Sequence, residues 1–456
     1  MRRLAIAALA LAGVASTCAI ASLRDAGAQR LDPRRPSVFI VGAPGGASPT
    51  LRGDARRTGA ARDLLPSGVI RISWRKTIGI SVEQPALAGP DGTLAVVGTA
   101  RGEVVFIDEN GDERGHVNAG TAGAALATMT SDGTVVFMTK AGDAVGVRRT
   151  LTRPRFVTRV GGEANVRVAP LSLDDGGVVV ATMTDLVVLD SEGNVRARAS
   201  LPESPAQPLL VSGDKVVAIS TTGAVFGWTP GREPVRVGSF GAPTDGGAAL
   251  ADATTLLAVI EGNHLVELDL ARGARSTRAI AAQGLYLGPP AVRSGGAATL
   301  IAMTQSRELV VTIAPSGQET MAPVGSFTKP PLPDGGVPPL VAPLHTQTAP
   351  IVDPRGAVAF VTPTDGRVGI ISADGALDAV GELICTRSGA SNGVAGLTPF
   401  GKGAFAVTCN NGVVARISGP EADSLRRPSA KPARPSSPTP PPAPPPPPDD
   451  DDDEEP

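Results

Sequence analysis

The sequence predicts an all-β fold, an eight-bladed β-propeller with four antiparallel strands per blade, and three observations predict it. Paired apolar runs recur at intervals of about forty residues, the period of a solenoid or propeller unit. Gly-containing turns bound the runs. A strand-like segment before the first pair supplies what the last pair lacks.

The first run of each pair reads LAVVG (94–98), VVFMT (135–139), VVVAT (178–182), VVAIS (216–220), LLAVI (256–260), LIAMT (300–304), VAFVT (358–362) and AFAVT (404–408). A second run follows each, from VVFID (104–108) to VVARI (413–417). These runs are too short for helices and rich in Val, Ile and Leu, which is strand chemistry. They are apolar at successive positions, so both faces of each strand must be covered, as they are when a blade packs between two neighbours. Asp91-Gly92, Asn110-Gly111, Asp132-Gly133, Asp175-Gly176, Asp365-Gly366, Asp374-Gly375 and Asn411-Gly412 read as hairpin turns.

A short inner strand precedes the first run of several units, with Pro nearby: QPALA (84–88), APLSL (169–173), QPLLV (207–211), GPPAV (288–292) and APIVD (349–353). A more polar outer strand follows the second run, as in RFVTRV (155–160), NVRARAS (194–200) and PVRVGSF (234–240). The eighth unit stops near Ile417 without an outer strand, and residues 69–79 resemble an unpartnered one. Pairing the two closes the ring and hides its strand edges. The Pro-rich stretch Lys329–Pro343 reads as a loop between blades six and seven. A seven-bladed ring is the alternative if the sixth unit is no blade.

Four regions follow: residues 1–28 as a secretory signal, 29–65 as a linker, 66–419 as the propeller and 420–456 as a tail. Arg2 and Arg3 precede the apolar run Leu4–Ala15, with small-residue cleavage options at Ala21 and Ala28. Cys18 follows Ala15-Ser16-Thr17, so lipidation of Cys18 after a signal ending at residue 17 competes with its loss in the signal. The tail carries a proline run and the acidic run Asp449–Glu455, and has nothing apolar to bury. A net charge of −2 gives no footprint for nucleic acid or an anionic membrane.

The segment DGTLAVVGTARGEVVFIDENG (91–111) resembles the pyrroloquinoline-quinone (PQQ) type of propeller repeat, and LRGDARRTG (51–59), SWRKTIG (73–79) and PALAGPDG (85–92) resemble the opening of such proteins. The resemblance spans roughly residues 50–418, strongest in the first unit. Its non-enzymatic, BamB-like exported members imply a protein-binding scaffold of the bacterial envelope, in the periplasm or at the outer membrane or secreted, monomeric and serving outer-membrane protein assembly. A small-molecule or polysaccharide binder is the alternative. Quinone-dependent dehydrogenases of this fold hold their cofactor with adjacent cysteines, a stacked Trp and calcium. This chain has no adjacent cysteines and no assignable axial Trp, so no cofactor, metal or catalytic residue is expected.

Other candidate residues have bland readings beside sharper ones. Arg52-Gly53-Asp54 spells an integrin-binding triplet but reads as a turn. Cys385 and Cys409 are either an inter-blade disulfide or two small buried hydrophobes. His116, His264 and His345 lie in different units, unsuited to a metal site or triad. Asp108, Asp190 and Asp269 end second runs at equivalent places, which argues for turn hydrogen bonding.

Overall fold

A computed structural model of the chain describes residues 48–420 except 122–125, 166–167, 281–284, 287–288, 294, 305–306, 327–348, 364 and 386–392. Eight antiparallel sheets follow one another around a ring. Blades 1 to 7 occupy residues 87–118, 127–159, 171–200, 210–239, 244–279, 285–326 and 351–379. Blade 8 combines Val394–Pro399, Ala404–Cys409 and Val413–Ser418 with the N-terminal strand Arg71–Thr77, which pairs from Arg71↔Ser418 to Thr77↔Val413. The ring is therefore closed by the segment the sequence nominates. The sixth unit is a full blade, so the seven-bladed alternative falls. Its innermost strand is broken into Leu285–Tyr286 and Ala291–Val292, which lie end to end along Ala298–Met303.

The doubly apolar runs have a direct explanation. In blade 1, Leu94 and Val96 pack with Ala406 and Val414 of blade 8, while Ala95 and Val97 pack with Ala127, Val135 and Phe137 of blade 2. Alternate side chains thus serve opposite neighbours, and each seam between blades has its own core. The outer strands face water on one side and read polar, as in ERGHVN (113–118). The seven Asp-Gly and Asn-Gly dipeptides all place their Gly at positive φ, as tight turns require.

An aromatic latch crosses the closure. Trp74 lies against Gly111 in the outer turn of blade 1, where an added Cβ would sit 3.0 Å from the indole. Its Nε1–H donates to the Glu109 carbonyl at 2.7 Å. Phe156 repeats the contact from blade 2 onto Gly193 of blade 3, and Thr158 Oγ1 donates to the Gly193 carbonyl at 2.6 Å. Trp74→Ala is expected to cost about 2 kcal/mol, from the lost stacking area and hydrogen bond. Trp74→Phe should recover the stacking share; equal losses in the two variants in urea melts would refute the stacking contribution.

Asp108, Asp190 and Asp269 hold turns. Asp108 Oδ1 accepts from the amides of Asn110 and Asp112, both at 2.9 Å. Asp190 Oδ1 accepts from Glu192 and Asn194 at 2.9 and 2.8 Å, and Asp269 Oδ1 from Ala271 and Arg272 at 2.8 and 3.2 Å. Asp132 does similar work at the inner hairpin of blade 2. Partial burial raises its pKa, but hydrogen bonds from Thr130, Thr134 and Arg155 outweigh that and hold it at about 2. A depressed carboxylate stabilises the fold above the unfolded value near 3.9 and loses that contribution as pH falls through about 2. Asp132 is about a third exposed, so solvent screening keeps the effect near 1 kcal/mol. The melting gap between the native chain and Asp132→Asn should be open at pH 6 and closed near pH 2; a pH-independent gap would exclude this origin.

Candidate functional site

The innermost strands of a propeller face its axis, and the axial channel is where this chain departs from its sequence reading. Residues 48–65 fill it. The carbonyls of Ser48 and Pro49 accept from Ala88 of blade 1 and Met129 of blade 2 at 2.8 and 2.6 Å. Those of Ala55, Arg56 and Thr58 accept from Val211, Leu250 and Val292 of blades 4, 5 and 6 at 2.9, 3.0 and 2.6 Å. Gly59 accepts from Val352 of blade 7 at 3.0 Å, and Leu64 from Gly403 of blade 8 at 3.0 Å. Arg57 reaches blade 3, its Nη2 donating to the Pro170 carbonyl at 2.9 Å. A segment whose carbonyls meet blades 1, 2, 4, 5, 6, 7 and 8 in chain order must wind around the axis. Residues 48–65, within the span read as a linker, are therefore bonded into the propeller, because the inner strands have amides that need acceptors. Residues 1–47, including Cys18, lie outside the described residues.

Two arginines organise this segment. Arg57 is 1% exposed. Its Nε donates to Leu209 O at 2.9 Å, Nη1 to Thr50 Oγ1 and Leu51 O, and Nη2 to Pro170 O with a longer contact to Ala169 O. Arg52 extends the other way, Nη1 donating to Ala248 O of blade 5 at 3.2 Å and Nη2 to Pro290 O of blade 6. Both arginines sit at positive φ, 63° for Arg52 and 57° for Arg57. That backbone costs roughly 1–2 kcal/mol at a non-glycine residue and persists where surrounding bonds over-determine it. Desolvation lowers both guanidinium pKa values to about 9, against the opposing pull of Asp54.

Asp54 is the turn's anchor. Its Oδ1 accepts from the amides of Arg56 and Thr58, both at 3.0 Å, and Oδ2 from Thr58 Oγ1 at 2.6 Å. Arg52-Gly53-Asp54 is thus an internal turn, as its setting predicts. Asp353 of blade 7 receives the segment's end, Oδ2 accepting from Leu65 N at 3.1 Å. Two pockets flank the turn. One, a narrow crevice of about 20 Å³, is lined by Arg52, Gly53, Gly59, Pro85, Ala349, Pro350, Ile351, Leu397 and Pro399. The other, about 100 Å³, is lined by Ser48, Gly53, Asp54, Ala60, Ala61, Arg62 and Pro399.

The remaining candidates are dispersed. Cys385 and Cys409 form a disulfide with an S–S distance of 2.03 Å, tying the chain after blade 7 to a strand of blade 8. His116 is exposed on the outer strand of blade 1, and His264 begins a strand of blade 5 with Nδ1 3.7 Å from Glu261 Oε2. His345, the Lys329–Pro343 loop, and the tail beyond residue 420 lie outside the described residues. The sequence reading missed Arg52, Arg57 and Asp353 as organising residues. The signal available was LRGDARRTG itself, which places Gly53 and Gly59 among closely spaced charges.

No protein-family profile matches the chain, and no curated protein sequence does. Solved structures do. BamB from Moraxella catarrhalis is 15% identical with a TM-score of 0.50, covering 77% of this chain and 98% of its own. The computationally designed Ika8 protein is 14% identical with a TM-score of 0.50, covering 75% of this chain and 100% of its own. Quinohemoprotein alcohol dehydrogenase from Comamonas testosteroni is 12% identical with a TM-score of 0.56, covering 87% of this chain and 84% of its own. At these identities the likeness is one of fold, that of a β-propeller.

Proposed function

We propose that this chain is a non-catalytic protein-binding scaffold of the bacterial cell envelope, exported to the periplasm or outer membrane, with outer-membrane protein assembly as its setting. One observation carries the reading: the axial channel is occupied by the chain's own residues 48–65, bonded to all eight blades. That segment spends the channel on rigidity and leaves the loop faces and outer rim for recognition. Fold likeness to BamB and the repeat's resemblance to BamB-like propellers support the envelope setting. Fold likeness to a dehydrogenase supports catalysis equally at the level of fold, so the occupied channel is what tips the balance.

The test is photo-crosslinking in intact cells from probes on the outer strands, at Val157 and Val235, both 61% exposed. Discrete adducts with envelope proteins are expected. Absence of adducts from the rim and from probes on both loop faces would remove the scaffold reading. Reduction of an artificial electron acceptor by the purified chain with quinone and calcium would overturn the non-catalytic part.

A further inference from the structure

Neighbouring blades 6 and 7 differ in one hairpin. Between its second and third strands blade 6 turns in three residues, 304–306, whereas blade 7 takes six, 362–367. Six is the longest such turn in the ring, the other blades using three to five. Beside these unequal turns lies a polar recess of about 410 Å³, against about 20 and 100 Å³ for the two beside the axial turn. Residues 48–65 do not line it. Arg307 and Glu308 face it from blade 6, and Thr362, Asp365 and Arg367 from blade 7.

The charges in the recess are layered. Glu308 is 1% exposed, on its inner side. A Cβ at Gly325 would collide with Glu308 Oε2, so the glycine gives this carboxylate its place. Arg307 is exposed, and no described residue pairs with its guanidinium. Asp365 is held by its own turn, Oδ1 accepting from Thr362 Oγ1 and from Arg367 N at 3.1 Å. Its Oδ2 lies 3.4 Å from Arg367 Nη2, and the two side chains are 44% and 53% exposed. Asp365 and Arg367 thus balance each other at the mouth. What remains is a carboxylate inside and an unpaired guanidinium outside.

That order of charges selects the ligand. An inorganic anion would satisfy Arg307 but face Glu308 behind it. A metal ion would reach Glu308 only past two guanidinium groups, and no cluster of three metal-ligating side chains occurs among the described residues. An apolar molecule would strip water from four charged groups. A molecule carrying both charges answers each of them, with its ammonium inward and its carboxylate outward. The polar walls suit a polar side chain on such a molecule.

We propose that the recess between blades 6 and 7 binds a free amino acid with a polar side chain, its ammonium on Glu308 and its carboxylate on Arg307. This goes beyond the scaffold reading and does not depend on it. Protein partners are read by crosslinking and this ligand by calorimetry, so either can fail alone.

The probes are L-glutamine, L-glutaminamide, which lacks the carboxylate, and N-acetyl-L-glutamine, which lacks the ammonium. Each is titrated calorimetrically and by thermal shift into the full chain at constant ionic strength. Glutamine should raise the melting temperature saturably and bind roughly tenfold or more tightly than either derivative, the worth of one charge-assisted contact. Arg307→Gln should erase the preference over glutaminamide and keep the preference over the acetyl derivative. Glu308→Gln should do the reverse. No saturable response to glutamine, a derivative that binds as tightly, or an Arg307→Gln chain that still prefers glutamine to glutaminamide would each overturn the proposal. If Glu308→Gln fails to fold, the two derivatives and the exposed Arg307→Gln decide alone.

Discussion

Arg57→Ala is expected to destabilise the propeller by about 4 kcal/mol, at the upper end for a single substitution, because it removes a cluster of buried charge-assisted hydrogen bonds. The guanidinium joins the axial segment, through Thr50 and Leu51, to the carbonyls of Pro170 and Leu209 at the entrances to blades 3 and 4. Truncation leaves those carbonyls facing a void that also loses the arginine's methylenes. Arg57→Lys should recover less than half of the loss, since one ammonium cannot spread donors over acceptors on several sides.

Hydrogen exchange makes the same prediction site by site. The amides of Met129, Val211, Leu250, Val292 and Val352 have their acceptors in the axial segment. In Arg57→Ala they should exchange faster, while amides paired within a blade, such as those of Val104 and Val105, change little. Uniform acceleration across the blades would mean that the segment merely shares the global stability. Unchanged exchange and an unchanged melt would mean that the channel does not need Arg57.

The contrast between what could and could not be read from sequence follows from how each part is held. Leu94–Val97 declares itself a strand between two neighbours because every residue in it is apolar, and burial on both faces demands that. Ring closure is legible for a related reason: Val413–Ser418 is buried throughout and lacks a successor, so its missing neighbour must come from elsewhere. Inner strands of two residues, such as Leu87–Ala88, are too short for periodicity and show only through their adjacent prolines.

The axial segment defeats pattern reading altogether. It forms isolated bridges in place of a strand, and it meets seven of the blades through main-chain carbonyls, which no side chain advertises. Arg52, Arg56 and Arg57 resemble a solvated charge cluster. Only the eight-fold arrangement of inner edges turns that cluster inward. The Cys385–Cys409 bond is intermediate: oxidation state and two cysteines suggest it, but their meeting depends on how blade 7 leans on blade 8.

That bond sits at the seam that closes the ring, and its removal is the second large effect expected. Cys385 and Cys409 are separated by 24 residues, and both are buried, at 4% and 0% exposure, within the core shared by blades 7 and 8. In the chain-entropy account, a loop of this length restrains the unfolded chain by about 3 kcal/mol. Over a propeller of this size, that corresponds to a melting shift of about 4 °C. Cys385→Ala/Cys409→Ala should show this loss, and reductant should bring the native chain down to the variant while leaving the variant unmoved. The position adds a kinetic expectation. The closing strand Arg71–Thr77 pairs with Val413–Ser418, and Arg75 Nη2 donates to the Ile384 carbonyl at 2.8 Å, one residue from Cys385. Opening the ring at this strand therefore pulls on the segment that the disulfide pins. If ring opening precedes global unfolding, the double variant should unfold faster by more than its refolding slows. If the lost stability appears wholly as slower refolding, the bond acts on the unfolded chain and the ring opens elsewhere.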